Sequence, residues 1–441
     1  MPITLGLSRE QICKVIGGDI DMVRLHCKAR VRDKSGNIVG YKLIDSNRSD
    51  IILGASKLKG LIKDKQVIVD NLVLTKDNRL VITKTGTIND STLGILKRLK
   101  TLSKEMREYT DTQSNRYYVA SLNELSHILY IPKTVCEVYK LYEHGRFLTY
   151  NVICRNIRDL KGRLVVIGGE GLSNCKRMFA DCDKLEEIDL TNFNTSNVED
   201  MKEMFLNCAS VKRINMDRLN TSKVHTMEGM FYGCRQLKSL DLSSFDTSSV
   251  IDMEYIFREC RELQSIELSN FNTKSLKQMC GMFYTCKSLK SIDITGFDTS
   301  NVINMSSLFL YCESLKEIDL SHIDTSNING TEEMFAMCTS IKHLDLSKFD
   351  TSNVRRMRSM FRGCHALEEL DISNFNTDKV YEIVYMVAEC SSLRSIKFGN
   401  ISTSKVDDMK GLFQGCESLE YLDLSSFDTR KVRDMSKISQ N

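Results

Sequence analysis

From residue 182 onward, apolar positions recur with a period of 26 residues, and a fixed period of this size marks an array of stacked units. One copy, Lys287 to Cys312, reads KSLKSIDITGFDTSNVINMSSLFLYC. A first apolar column runs Leu185, Val211, Leu237, Leu263, Leu289, Leu315, Ile341, Leu367, Leu393 and Leu419. A second runs Ile188, Ile214, Leu240, Ile266 and Ile292 to Leu422, and a third Leu190, Met216, Leu242, Leu268 and Ile294 to Leu424. This LxxIxL pattern predicts a short strand with alternate residues inward. A fourth column holds Phe193, Phe245, Phe271, Phe297, Phe349, Phe375 and Phe427, with Leu219, Ile323 and Ile401 in the other copies.

The spacing then changes. Val302, Met305, Leu308, Phe309 and Cys312 stand three, three, one and three apart, which predicts a helix. Asp298-Thr299-Ser300-Asn301 supplies residues that cap a helix start. Asp200, Asp252, Asp408 and Asp434 are expected in the first helical turn, where negative charge suits the dipole. Gly233, Gly363 and Gly415 precede the cysteine, where a helix can end left-handed. Each repeat is thus read as strand, turn and helix. A single repeat is too small to bury its apolar face, whereas stacked repeats share one core. The strands are expected to form a parallel sheet with neighbours about 4.8 Å apart, on the concave face of the array.

Before the array the pattern differs. Residues 22–33 and 38–45 read as two strands around the turn Ser35-Gly36-Asn37, 56–62 as a short helix, and 67–74 with 79–83 as a hairpin. This is a small α+β unit of order ββαββ over residues 1–90. The segment from YKLIDSN to VDNLVLTKDNRLV is similar to a short domain of unassigned function in bacterial and mobile-element proteins, with no catalytic motif. Leu93, Leu96, Leu99, Leu102, Met106 and Tyr109 predict an amphipathic helix with Lys97, Arg98, Lys100, Lys104 and Arg107 on its other face. Residues 91–163 are therefore expected to be a mainly helical connector, and 164–441 the repeat solenoid of about ten copies with a partial N-terminal cap.

Charge separates the two halves. Residues 1–165 hold 29 Lys+Arg and 17 Asp+Glu, a balance of +12, while residues 166–441 hold 32 and 41, a balance of −9. A basic module can meet nucleic acid or an acidic protein, and an acidic face basic partners or cations. The alternative is an ordinary solvated surface on each. Sixteen cysteines invite a disulfide or metal reading, but no CxxC pair exists, so zinc-ribbon spacing is absent. Ten of them, Cys182, Cys208, Cys234 and on to Cys416, follow the repeat and read as small buried core residues.

The copies resemble the leucine-rich repeat superfamily, specifically the 26-residue bacterial surface-protein (BspA-like) type. The matched pattern is MFxxCxxLxxIDLSxFDTSxVxxM, as in Met230 to Met253. The resemblance implies an α/β fold: a curved leucine-rich-repeat solenoid, parallel strands on one face and helices on the other, here preceded by the small α+β domain. It also implies protein binding and adhesion, often on bacterial surfaces. Against surface display, the first residues, MPITLGLSREQICKVIGG, lack a basic segment followed by an apolar one, and no apolar run approaches the roughly 20 residues of a membrane span. The expectation is a cytoplasmic chain, with the cell surface as the alternative.

Catalytic signals are absent. Ile167-Gly168-Gly169-Glu170-Gly171 sits as a phosphate loop would but lacks the spacing and lysine of one. The seven histidines show no HxxxH or HExxH spacing. No cofactor or metal is expected. Two outward columns on the strand are the candidate partner surface. The acidic one includes Asp293, Asp319, Asp345 and Asp371; its like charges call either for a basic partner or cation, or for local hydrogen bonds from residues such as Ser321, Ser347 and Ser373. The neighbouring column varies, with Glu317, His343, Glu369 and Tyr421, as expected of a face that meets a ligand or only solvent. The reading is a non-enzymatic protein-interaction scaffold. The alternatives are a BspA-like surface adhesin and a nucleic-acid-associated regulator acting through residues 1–165.

Overall fold

The computed structural model describes residues 23–32, 38–44, 50–54, 67–69, 72–74, 80–82, 105–110, 116–131, 138–143, 146–399 and 401–438. The chain divides into two units, Met1–Ser103 and Lys104–Asn441.

In the first unit, β1 (Val23–Arg32), β2 (Ile38–Ile44), β3 (Asp50–Gly54) and β4 (Val67–Val69) form a sheet of order β3-β2-β1-β4. β1, β2 and β3 are antiparallel, and β4 joins β1 in parallel. β5 (Leu72–Leu74) and β6 (Leu80–Ile82) make a separate antiparallel pair. The stretch 67–74, expected as one strand, thus serves two sheets, and β3 was not expected at all. The helix expected at 56–62 lies outside the described residues.

The second unit opens with three antiparallel strands, β7 (Glu105–Thr110), β8 (Arg116–Asn123) and β9 (Ser126–Ile131). A hairpin of β10 (Val138–Glu143) and β11 (Arg146–Asn151) follows, then α1 (Val152–Ile157). β9 pairs in parallel with β12 (Gly162–Gly168), β12 with β13 (Leu185–Phe193), and β13 with β14 (Arg213–Asn215). The array is therefore capped by a continuous six-stranded sheet. Two glycines are required at this junction. Gly162 and Gly168 have φ of 75° and 93°, and an added Cβ would lie 2.4 and 2.0 Å from the carbonyl oxygens of Leu125 and Ile131.

This cap corrects the helical connector expected over 91–163. Among its described residues the region is five strands and one six-residue helix. The basic amphipathic helix is overturned at its C-terminal end, because Glu105–Thr110 is strand, with Arg107 exposed opposite Val119. Edge pairing with β8 outweighs the three-and-four spacing, as tertiary context often does for short segments. Lys97, Arg98, Lys100 and Lys104 lie outside the described residues.

The helices expected in every repeat are also corrected. In the reference copy, the Leu308 N–H donates to the Met305 carbonyl (3.2 Å) and the Cys312 N–H to that of Phe309 (2.9 Å). The third residues of these turns, Ser307 and Tyr311, have φ of 56° and 61°. A four-residue turn with positive φ at its third position is a type II turn, so the segment is two tandem turns. The turns Met-x-x-Leu and Phe-x-x-Cys place their end residues inward. Apolar positions then fall at 0, 3, 4 and 7, the spacing of a helix face. Gly233, Gly363 and Gly415 are left-handed, with φ of 78°, 70° and 71°, but as third turn residues rather than helix ends. Asp200, Asp252, Asp408 and Asp434 accept the backbone N–H two residues on (2.8–3.0 Å) and open no helix. α1 is the only α-helix among the described residues.

Successive coils are bonded most densely through these turns. The N–H groups of Met305, Ser307, Phe309 and Tyr311 donate to the carbonyls of Gly330, Glu332, Met334 and Ala336 at 2.7–3.0 Å. A parallel bridge column runs unbroken from Asn174 through Asn304 to Asp434. On the other side, among the described residues, a ladder forms only at the cap and between β15 (Glu369–Asp371) and β16 (Ser395–Lys397), which a single bridge continues from Ser395 to Tyr421. Between, single bonds such as Gln264 to Lys238 (3.2 Å) and Lys316 to Lys290 (3.4 Å) remain. Ring spacing agrees: Phe179, Phe205, Phe231, Phe257, Phe283, Phe309, Phe335 and Phe361 stack at 5.4–6.0 Å on the turn side, against 6.5 Å for Phe271 and Phe297 on the strand side.

One apolar core runs the length of the array, from Leu164 to Cys416. A polar ladder runs beside it. Thr195, Thr221, Thr247, Thr273, Thr299, Thr325, Thr351, Thr377 and Thr403 are buried. Each hydroxyl donates to a carbonyl of the next coil at 2.7–3.1 Å. Several also accept the N–H of that same residue, as Thr325 does from Asp350 (2.7 Å). A buried hydroxyl without such partners would cost about 1–3 kcal/mol, so this threonine is constrained as tightly as the apolar columns.

Candidate functional site

Alternation along the strand side puts Ile318 and Leu320 inward and Glu317 and Asp319 outward. The same holds from the coil of Asp241 onward, so there the two candidate columns lie on one exposed face. Asp293, Asp319, Asp345 and Asp371 are exposed, as are Glu317, His343, Glu369 and Tyr421. Tyr421 is 71% exposed.

The acidic column is satisfied locally. One carboxylate oxygen of each aspartate accepts the backbone N–H two residues on: Thr295 to Asp293 (2.9 Å), Ser321 to Asp319 (2.9 Å), Ser347 to Asp345 (3.0 Å) and Ser373 to Asp371 (3.1 Å). These are Asx turns, in which a short acidic side chain stands in for a turn carbonyl. The hydroxyls of Thr295 and Ser373 add bonds of 2.7 Å. Hydrogen bonds from the Ser or Thr two residues on hold all four carboxyls below the ordinary value. Repulsion between neighbours, which would raise them, is the smaller effect. A bound cation is not needed to explain the column, and among the described residues no three His, Cys, Asp or Glu side chains come together as a metal site. At the N-terminal end the column goes under cover: Asp189 is buried and meets Arg163 at 2.6 Å.

The ten periodic cysteines are buried. From Cys208 onward each thiol donates to a carbonyl of the preceding coil at 3.1–3.4 Å, as Cys312 does to Phe283. Burial pushes their pKa values up, Cys338 to about 12, so they are poor nucleophiles and poor metal ligands at neutral pH. His127 is likewise structural: its ring nitrogens meet Ser121 Oγ (3.0 Å) and the Lys161 carbonyl (3.1 Å). The run Gly168-Gly169 packs against Ile131 and Phe193 and belongs to the cap.

One cluster escapes the sequence reading. On the turn side, the Arg258 guanidinium carbon lies 4.7, 5.2 and 4.4 Å from the ring centres of Tyr232, Tyr255 and Tyr284, and Tyr284 stacks on Tyr311 (6.3 Å). A guanidinium over aromatic rings is a favourable contact. The signal was present as aromatics near 26-residue spacing, but it was hidden by the helix expected there.

The repeat region matches one described family along its length. The family described as "Mycoplasma protein of unknown function, DUF285" matches residues 173–291, 260–344 and 330–441. No curated protein matches the chain. Among solved structures, a leucine-rich repeat protein of T. pallidum is similar at 16% identity and a TM-score of 0.31, over 54% of this chain and 87% of its own. One from Eubacterium ventriosum shows 14% identity and a TM-score of 0.38, over 74% and 92%. Toll, in its complex with Spatzle from Drosophila, shows 12% and 0.22, over 70% and 48%. At such identities and scores these likenesses carry no functional step. The tandem matches from 173 to 441 span more than half of the chain, which belongs to the DUF285 family.

Proposed function

We propose that the chain is a non-enzymatic scaffold whose solenoid binds a protein partner on its strand face. The observation that carries this is the contrast between columns. Inward positions keep one residue class from coil to coil and are buried, whereas Glu317, His343, Glu369 and Tyr421 stand exposed in one row and change with each coil. Such a row is a flat, rigid, side-chain-coded surface, held by a core that does not depend on it. The acidic column beside it supplies fixed negative charge, which favours a basic patch on the partner.

The test is a pull-down from the source cell extract with the full chain as bait, compared with the combined alanine variant at Glu317, His343, Glu369 and Tyr421. Loss of a specific captured protein, at unchanged melting temperature, supports the reading. Retention of every captured protein by the variant sinks it. The resemblance of the repeats to the BspA-like type favours a second reading, an adhesin at the cell surface. Protease shaving of intact cells separates the two, because a displayed array is cut and an internal one is not. Among the described residues no helix is long and apolar enough to cross a membrane.

A further inference from the structure

A cleft of about 550 Å³ opens on the edge of the array between the two bonded faces, lined by Asn327, Asn329, Asn353, Arg355, Arg356, Lys379 and Tyr381. Three successive coils contribute, each through the residues flanking its inward valine or isoleucine. Elsewhere these edge columns hold mixed residues such as Glu199, Ile251, Ile303 and Asp407. Only here do consecutive coils bring three cations, three amides and a ring together.

The cations are not equally occupied. Arg356 meets Glu332 (2.8 Å), and the Lys379 ammonium is held by the Asn353 side-chain oxygen (2.7 Å). Arg355 is exposed and, among the described residues, pairs with no carboxylate. The Tyr381 ring is 41% exposed. Asn327 and Asn353 are fixed through their amide nitrogens by the carbonyls of Ser300 and Ser326 (both 2.7 Å). The cleft is therefore a preset arrangement of positive charge, amide groups and one aromatic plane.

We propose that this cleft binds an anionic oligosaccharide, a short chain of hydroxyl-rich sugars bearing carboxylate or sulfate groups. Its volume is that of a small-ligand site. The free Arg355 guanidinium has the planar fork that grips an oxyanion through two bonds, and Lys379 adds a point charge beside it. The amides suit hydroxyls, and the Tyr381 ring suits the C–H face of a pyranose. An acidic peptide fits less well, because protein interfaces centre on an apolar patch and this lining has a single ring. A nucleic-acid strand needs a row of stacking rings along a basic groove, which is absent from this lining.

Calorimetric titration of the full chain tests the assignment with four probes: a hyaluronan tetrasaccharide, a chondroitin sulfate tetrasaccharide, neutral chitotetraose and hexaglutamate. At least one acidic tetrasaccharide is expected to bind, with chitotetraose and hexaglutamate at least tenfold weaker. Arg355→Ala is expected to weaken binding tenfold or more, and Arg355→Lys to recover only part of it. Tyr381→Ala should weaken it threefold or more without any change of charge. Lys223→Ala is the control, since Lys223 meets Asn197 (3.0 Å) as Lys379 meets Asn353 but lies outside the cleft, and it should leave binding intact. Equal binding of neutral and acidic sugars, hexaglutamate as tight as the tetrasaccharides, an unaffected Arg355→Ala, or no binding of either acidic tetrasaccharide at millimolar concentration overturns the proposal. The replaced side chains are exposed, and melting curves verify that each variant is folded.

Discussion

At the scale of single residues, most polar groups of the array are explained by what they do for the backbone. Cys312 is buried and bonded to the Phe283 carbonyl. Cys312→Ser places a more strongly hydrated group in the same apolar site and should cost about 1–3 kcal/mol, read from denaturant unfolding. The periodic thiols should react with a maleimide only after unfolding; rapid labelling of the native protein would contradict their place in the core. The aspartates of the strand face make a pH-dependent contribution. Their folded pKa values are depressed, so the stability they add is complete above the unfolded carboxylate value, about 3.9, and is lost as pH falls through the folded values. Asp252 and Glu254 oppose this, since burial raises them. Replacing Asp293, Asp319, Asp345 and Asp371 by asparagine keeps the oxygen that accepts the turn N–H and removes the charge. The variant should fold and show a shallower loss of stability below about pH 4, followed by circular dichroism.

At the scale of the element, the decisive distinction is between helix and tandem turn, and one substitution gives opposite signs for the two. Ser307 has φ of 56°, which costs a non-glycine residue about 1–2 kcal/mol. Ser307→Gly should therefore stabilise the protein, by roughly 0.5–1 kcal/mol once glycine's added freedom in the unfolded chain is set against it. In a helix the same change would destabilise by a few tenths of a kcal/mol or more. Gly363→Ala should destabilise, because its φ is 70° and the new Cβ would fall 2.3 Å from Met337 Sδ. These elements also show why the sequence was only partly legible. The inward columns, the LxxIxL strand side and the periodic cysteine were readable because burial alone dictates them. The type II turns were not, because two linked turns and a helix share the apolar spacing 0, 3, 4 and 7. Left-handed φ at Ser307, Tyr311, Glu333 and Met337 is carried by residues that give no hint of it. The candidate surface was readable as the column that breaks the repeat. The cleft around Arg355 was not, because its lining residues come from three coils and converge only after stacking.

At the scale of the molecule, the array is a quasi-one-dimensional stack in which each coil depends on its neighbours. Phe309 stacks between Phe283 and Phe335 at 5.6 and 5.8 Å, so Phe309→Ala should cost about 3–5 kcal/mol. The last described coil is less covered: Leu424 and Met435 are 36% and 42% exposed. Native-state hydrogen exchange should accordingly show lower protection from residue 419 onward than between 287 and 364, since local opening follows coverage. The central claim is that interior columns hold the array while the columns that break the period carry its interactions. The most direct test is an alanine scan of Lys287–Cys312 and of Glu317, His343, Glu369 and Tyr421, with each variant read for unfolding free energy and for capture of the partner identified by pull-down. Losses of stability at the inward columns, the buried threonine and the turn-holding Asp293, Asp298 and Asn304, with losses of capture at unchanged stability for Glu317, His343, Glu369 and Tyr421, are the expected result; capture that falls only in step with stability would contradict it.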